Sequence, residues 1–388
     1  MPLKHIREFI RFEASAGIIL FLAAIFAIII DNSPLSEKYT HFFQIVASFS
    51  IGEFRIAKPL LHWINDGFMT IFFMLVGLEI KREMLGGELN TPRKALLPAI
   101  AAAGGMAAPA IIYIFFNYHD LNAIKGWAIP TPTDIAFSLG ILSLFGSRIP
   151  VSLKIFLTAL AIFDDIGAIL VIAVYYTAQI SLIMLLCAVL LILILLILNW
   201  AGVRSLGSYF IVGTLLWICV LKSGVHATLA GIILALFIPF KESGVTHYSP
   251  SRKVEEKLHP WVAYGILPLF AFANAGVSFS GITLHHFIAP IPVGIALGLF
   301  LGKQIGIWGS TMLSVWCRVA PMPKGMTSLN LYALSLIAGV GFTMSLFIGG
   351  LAFNGDHAAW VRLGVILGSV ISGLLGYLML NFIYPKSR

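Results

Sequence analysis

Long apolar runs alternate with short charged or Pro/Gly-rich breaks along the whole chain. Cutting at those breaks predicts about twelve helices long enough, in most cases, to cross a hydrocarbon core. They fall near 14–31, 60–80, 95–116, 122–145, 151–177, 182–199, 206–220, 225–239, 259–276, 290–316, 328–350 and 359–383. The runs at 206–220 and 225–239 are short for a full crossing. From Ile155 to Val203 the only charges are the adjacent Asp164 and Asp165, with Lys154 at one end and Arg204 at the other. A charged side chain at mid-bilayer costs roughly 2.5–3.5 kcal/mol, so the pair reads as an ion or proton site inside a membrane protein.

Two predicted spans are interrupted. One reads Ile129-Pro130-Thr131-Pro132-Thr133-Asp134, where the prolines remove backbone donors and disfavour helix ahead of them. The other reads Ala338-Gly339-Val340-Gly341-Phe342-Thr343. Broken helices persist in lipid where their freed backbone lines a cavity, and paired breaks point to a transporter site. Gly339 and Gly341 alone fit close helix packing equally well.

Composition agrees with a membrane protein. Hydrophobic residues are 59% and charged residues 11% of the chain, against about 25% charge in a soluble domain. The net charge of +8 is scattered among apolar runs rather than gathered into a basic stripe, which excludes a nucleic-acid surface. Cys187, Cys219 and Cys317 lie in apolar runs without ligand spacing, and read as small core residues. The basic N-terminus leads into an apolar run closed by Asp31-Asn32-Ser33-Pro34, so a retained first span is expected, not a removed signal peptide. Placing the N-terminus in the cytoplasm and alternating puts 18 of the Lys and Arg residues inside and six outside, with Lys303 within a span. The positive-inside rule then sets both termini in the cytoplasm. No loop is long enough for a second domain, so residues 1–388 read as a single integral membrane transporter domain. A small outward β-hairpin is expected at 42–58.

The charges left within the spans are Asp134, Asp164, Asp165 and Lys303. Asp164 and Asp165 lie roughly 15 Å along a helix from Lys154, near the bilayer centre. Adjacent helical residues point about 100° apart, so the two aspartates cannot face one partner equally. Lys303 is a candidate partner for one, and the broken end near Asp134 for the other. Lys303 reads equally as a structural salt bridge or as part of transport, since buried lysines are usually paired. Sodium and lithium are hard cations that suit carboxylates, backbone carbonyls, the Thr133 hydroxyl and water. Empty of metal, the same acids hold protons, because burial and mutual repulsion both disfavour two negative charges. Metal and proton occupancy then exclude each other, which is the chemistry of an antiporter. Glu79, Arg82 and Glu83 share a helix face, and 252–259 opens a helix at the cytoplasmic side; both read first as solvated helix ends. His259 adds a group that titrates near neutrality, whereas a lone His226 reads as a packing group.

Two rival functions also use buried acids. An intramembrane aspartyl protease needs two acids facing each other across a water, which the adjacent Asp164 and Asp165 cannot do, leaving only Asp134 with one of them. The chain also lacks a Gly-x-Gly-Asp pattern. A passive cation channel calls for a ring of charge and no proton coupling.

At these residues the chain resembles the NhaA-type sodium/proton antiporters of bacterial inner membranes. The motifs are WINDGFMTIFFMLVGLEIKRE (63–83), GWAIPTPTDIAFSLG (126–140), LKIFLTALAIFDDIGAI (153–169), LKSGVHATLAG (221–231), LHPWVAYGILPLFAFANAGVS (258–278), LGKQIGI (301–307) and GVGFTMSLFI (339–348). The resemblance implies an all-α polytopic fold of twelve transmembrane helices in inverted repeats, with two crossed discontinuous helices at 122–145 and 328–350. It implies electrogenic export of sodium, and of lithium, for protons, with no cofactor. Asp164 and Asp165 would carry ion and proton exchange, with Asp165 nearest the transported sodium. Thr133 and Asp134 would balance the broken helix ends, and Lys303 would face Asp134 or Asp164. The resemblance also implies a homodimer held partly by the outward hairpin. It places a cytoplasmic pH-sensing cluster at Glu79, Glu83, Arg252, Glu255 and His259, and ties His226 to pH dependence. The chain departs from the family in reading Glu255-Glu256 where a Glu-His pair occurs.

Overall fold

The structure is a computed structural model, and describes residues 3–52, 54–87, 89–177, 180–240, 249–279, 283–353 and 355–385. Lys241, Lys386 and Arg388, which contribute to the charge bias, lie outside the described residues.

In chain order the helices are α1 (Leu3–Asp31), α2 (Ser36–Gln44), α3 (Leu60–Gly86), α4 (Pro92–Asn117), α5 (Ile135–Ser143), α6 (Val151–Tyr175), α7 (Leu182–Trp200), α8 (Leu206–Ser223) and α9 (Leu229–Phe237). Then come α10 (Pro250–Trp261), α11 (Leu267–Asn274), α12 (Leu284–Phe287), α13 (Pro290–Trp316), α14 (Ser328–Ile337), α15 (Phe342–Ala352) and α16 (Asp356–Ile383). Two strands, β1 (Val46–Ile51) and β2 (Phe54–Pro59), pair antiparallel from Val46↔Pro59 to Ile51↔Phe54. The expected hairpin is therefore present, turning at Gly52, whose φ of +58° suits glycine. The short α2 is an element the hydrophobic pattern does not predict.

Among the described residues, seven helices are long and apolar enough to cross a membrane, or up to nine counting two bent pairs. The architecture is all-α and polytopic. α7 shows why lipid is its solvent: Leu182, Ile183, Leu186, Leu190 and Ile197 all face outward, each at least 60% exposed. An apolar stripe of that size is not left against water.

The chain separates into two compact units. The first comprises Met1–Ser33, Glu88–Ala168 and Asn274–Arg388. Its core gathers Leu142, Phe145, Leu153, Leu160, Ile307, Leu331, Leu334 and Ile337. Within it, α13 carries glycine at every fourth position: Gly294, Gly298, Gly302 and Gly306. Positions four apart share a helix face, and this face has no side chains to hold a neighbour away. A Cβ on Gly302 would come 2.6 Å from Pro109 Cα, and one on Gly298 would come 2.8 Å from Pro130 Cβ. The backbone of α13 thus lies directly on α4 and on the broken segment before α5, the close approach that small residues permit in lipid.

The second unit comprises Pro34–Gly87 and Ile169–Ala273. Its core is Met74, Leu78, Tyr209, Leu216, Val220, Leu234 and Val254, from α3, α8, α9 and α10. α8 stops at Gly224, whose left-handed φ of +88° closes the helix. α3 carries a π turn at Trp63–Phe68, just after its first residues, and another π turn (Val262–Ile266) joins α10 to α11.

Candidate functional site

Asp164 and Asp165 lie midway along α6, both buried in the first unit. The two partners expected for the two acids both fall on Asp164. Lys303 Nζ lies 2.7 Å from Asp164 Oδ2, and the Thr133 hydroxyl lies 2.6 Å from the same oxygen. Lys303 also donates to Thr133 Oγ1 at 3.0 Å. The Thr133 proton has a second acceptor in reach, the Ala338 carbonyl at 3.0 Å. Asp164 Oδ1 is buried and has no hydrogen-bond partner among the described residues, so it retains acceptor capacity.

Local backbone puts Lys303 there. It sits between two π turns, Gly298–Gly302 and Gln304–Trp308. π bulges re-aim side chains and recur at functional sites. Gly105 of α4 leaves room beside it: a Cβ there would stand 3.8 Å from Lys303 Nζ and 2.7 Å from Ile307 Cγ1. The neighbouring Gln304 side chain is held at both ends, donating to the Phe300 carbonyl at 2.8 Å and accepting from the Tyr332 hydroxyl at 2.5 Å.

Both interruptions expected from sequence are present. Ahead of α5 the chain forms a short 3₁₀ helix (Ala123–Gly126), then turns, with an unwound stretch at 132–134. α14 and α15 meet at 47° across 338–341. The two breaks are hydrogen-bonded to each other, Asp134 N–H to the Val340 carbonyl at 2.7 Å. Asp134 then serves two helices. Its Oδ1 accepts from Phe137 N–H of α5 at 3.0 Å. Its Oδ2 accepts from Thr343 N–H of α15 at 3.0 Å and from the Thr343 hydroxyl at 2.5 Å. Both helix N-termini carry partial positive charge, and one carboxylate between them answers both. Of the two acids open to Lys303, the structure therefore pairs it with Asp164, while Asp134 is engaged by helix ends. Thr343 is a residue that sequence reasoning missed; its place one turn after Gly339, beside the break, was the available signal.

In the second unit, Arg82 of α3 bonds Glu83 at 3.0 Å and is ion-paired with Glu255 of α10. His259 Nε2 stands 3.9 Å from Glu79 Oε1. Four of the six expected pH-linked residues thus converge: Glu79, Glu83, Glu255 and His259, with Arg82 as the added hub. The charge of Arg252 also reaches Glu255. Burial pushes the Glu255 carboxyl above the usual range, opposed by the charges of Arg82 and His259. His226 does not join this group. It lies beside Thr228 at 3.2 Å, where the charges of Asp66 and Lys58 reach it.

Charge held at depth by unwound helices, with oxygen donors converging on it, defines an ion-translocating membrane transporter. The chain belongs to the family described as Na+/H+ antiporter 1, whose model matches residues 7–380. It is similar to the Na(+)/H(+) antiporter NhaA of Rhodospirillum rubrum, 54% identical over 390 residues and covering 98% of each chain. The Na(+)/H(+) antiporter NhaA of Proteus mirabilis is 50% identical over 386 residues, covering 99% of this chain and 98% of the relative. That of Psychrobacter arcticus is 52% identical over 382 residues, with 98% and 96% covered.

Proposed function

We propose that the protein is a secondary transporter of the bacterial inner membrane that exports sodium, and lithium, in exchange for protons, with Asp164 and Asp165 as the exchange site. The observation that carries this reading is the buried Asp164–Lys303–Thr133 cluster beside two mutually bonded helix breaks. Family membership supplies the ions.

Charge counting makes the exchange electrogenic. In the arrangement seen, Lys303 as an ammonium neutralises Asp164. With Asp165 protonated the site is neutral. A sodium ion shared by two ionised aspartates, with Lys303 released as a neutral amine, leaves the site one charge more negative. Two protons have then left for each sodium bound. Asp164 Oδ1 and the Thr133 hydroxyl are oxygens suited to such a hard cation. Asp134 and Thr343 hold the break in shape without joining the exchange.

The same reading extends to the topology, the assembly and the response to pH. The chain forms one transport domain of twelve spans with the interrupted segments crossing, both termini are cytoplasmic, and the β1–β2 hairpin contributes to a homodimer. The cluster around Arg82 and Glu255 adjusts activity to pH, and His226 acts separately. Neither a protease nor a passive channel accounts for a lysine holding one of the acids. The test is sodium-driven proton movement in sealed vesicles at imposed voltage. An antiporter moves protons against the direction of sodium, whereas a channel passes sodium with no change in luminal pH.

A further inference from the structure

Two polar pairs, one helical turn apart, join α13 to α14. The Tyr332 hydroxyl donates to Gln304 Oε1 at 2.5 Å, and Trp308 Nε1 donates to Ser328 Oγ at 3.1 Å. Four residues forward on α13 match four residues back on α14, the register of antiparallel helices meeting along one face. The Trp308 and Tyr332 rings fill the step between the pairs, edge to face at 6.3 Å. At its inner end the same seam reaches the second helix break. A Cβ on Gly339 would come 2.5 Å from the Leu299 carbonyl oxygen, and one on Gly341 would come 2.7 Å from Leu299 Cδ2. From Leu299 to Trp308 the seam covers roughly 13 Å of helix.

The Gln304 pair has something behind it that the Trp308 pair lacks. Gln304 is buried, follows Lys303 directly and opens the second π turn of α13. In a regular α-helix the Phe300 carbonyl faces the backbone N–H of residue 304. Here the Gln304 side chain also reaches back to that carbonyl, at 2.8 Å. A side chain inserted into the backbone ladder is one way a helix is held out of regular geometry. Tyr332 occupies the oxygen of the same amide, so the amide cannot turn without losing a bond. Adjacent residues point about 100° apart. While Gln304 faces α14, Lys303 faces Thr133 and Asp164, at 3.0 and 2.7 Å.

We propose that Gln304, braced by Tyr332, is a positioning residue that sets how tightly Lys303 holds Asp164, a role that rests on the reading of Asp164 and Asp165 as the exchange site. In that scheme lysine and sodium compete for one carboxylate. Loosening the π turn loosens the lysine, and sodium displaces it at lower concentration. One lysine proton leaves per sodium, so a roughly threefold gain at fixed pH equals a displacement of the pH profile by about half a unit toward acid.

The test uses the purified full chain in mild detergent and weak buffer. Proton release is followed as sodium chloride is added at several pH values. Tyr332→Phe keeps the ring against Trp308 and removes the donor. Gln304→Met keeps the length and removes the amide. Each is expected to lower the sodium concentration for half-maximal release about threefold, with the matching displacement of the pH profile. The double variant is expected to go no further than Gln304→Met alone, because the two residues form one link. Ser328→Ala breaks the outer pair only, and is expected to leave the half-release concentration at its wild-type value. An unmoved or raised half-release concentration in Gln304→Met or Tyr332→Phe overturns the role, even where melting temperature falls, since the seam would then be packing alone. Shifts that add in the double variant overturn it too. So does an equal shift from Ser328→Ala, which would spread the effect over the whole seam. A wild type silent to sodium would overturn the exchange site and this role with it, whereas a responsive wild type with unmoved variants overturns the role alone.

Discussion

Lys303 and Asp164 form an ion pair of 2.7 Å with both side chains fully buried. The amine comes from between two π turns of α13, and the acid from the middle of α6. A pair so placed ties two helices together, and removing one partner strands the other. Stranding a charge in a buried pair costs roughly 3–5 kcal/mol. Lys303→Ala is expected to lower thermal stability at least as much as it lowers transport, in a melting curve and a vesicle assay run together. A variant as stable as wild type but inactive would make Lys303 a proton carrier with no structural share.

Asp165 is the other buried acid of the pair, and the proposed exchange needs a second carboxylate. Asp165→Asn keeps the shape and removes the charge. It is expected to abolish sodium/proton exchange, by at least a hundredfold, with insertion and melting temperature preserved. Exchange at wild-type rate in correctly inserted protein would remove Asp165 from the site.

Asp134 works differently, as the shared cap of α5 and α15. Asp134→Ala loses two helix caps at once, each worth roughly 0.5–2 kcal/mol. The expected result is a loss of stability near the sum of the two, together with slowed transport. Thr343→Val, which removes only the hydroxyl donor, is expected to cost about half as much or less. Equal effects from both variants would mean that α15 alone depends on the acid.

Glu255 has its carboxyl raised by burial, so the packed state holds its proton more tightly than the unfolded chain does. Stability from this group is therefore complete below the ordinary glutamate value of 4.5. It is lost as pH rises through the higher, folded value. The contact of α10 on α3 should loosen toward alkaline pH, seen as faster backbone hydrogen exchange across 250–261. Glu255→Gln is expected to flatten that dependence. An exchange profile with the same pH slope in the variant would assign the response to another group.

Much of this arrangement is visible in the chain itself, for physical reasons that differ by residue. Long apolar runs favour helix, so α3, α4, α6, α7, α8, α13 and α16 fall close to where hydropathy puts them, whereas the short α12 and the amphipathic α10 do not follow from it. Proline cannot donate, so Pro130 and Pro132 mark the break before Asp134. Depth along a helix also follows from counting, which puts Asp164 and Asp165 near the middle of α6. Azimuth does not follow from counting. Whether Lys303 meets Asp134 or Asp164 depends on how α13 rolls against α4, and that is set by the bare face Gly294–Gly298–Gly302–Gly306 and by two π turns that sequence periodicity does not reveal. The double capping by Asp134 was hidden for a similar reason: its second partner, Thr343, is 209 residues away.

The account stands most directly on displacement of protons by sodium in the absence of any membrane gradient. Purified protein at mildly alkaline pH, in weak buffer with an indicator dye, should release protons when sodium chloride is added. Choline chloride should release none, and Asp165→Asn should be silent to both. If sodium leaves the pH of the wild-type solution where choline leaves it, Asp164 and Asp165 do not exchange one ion for the other.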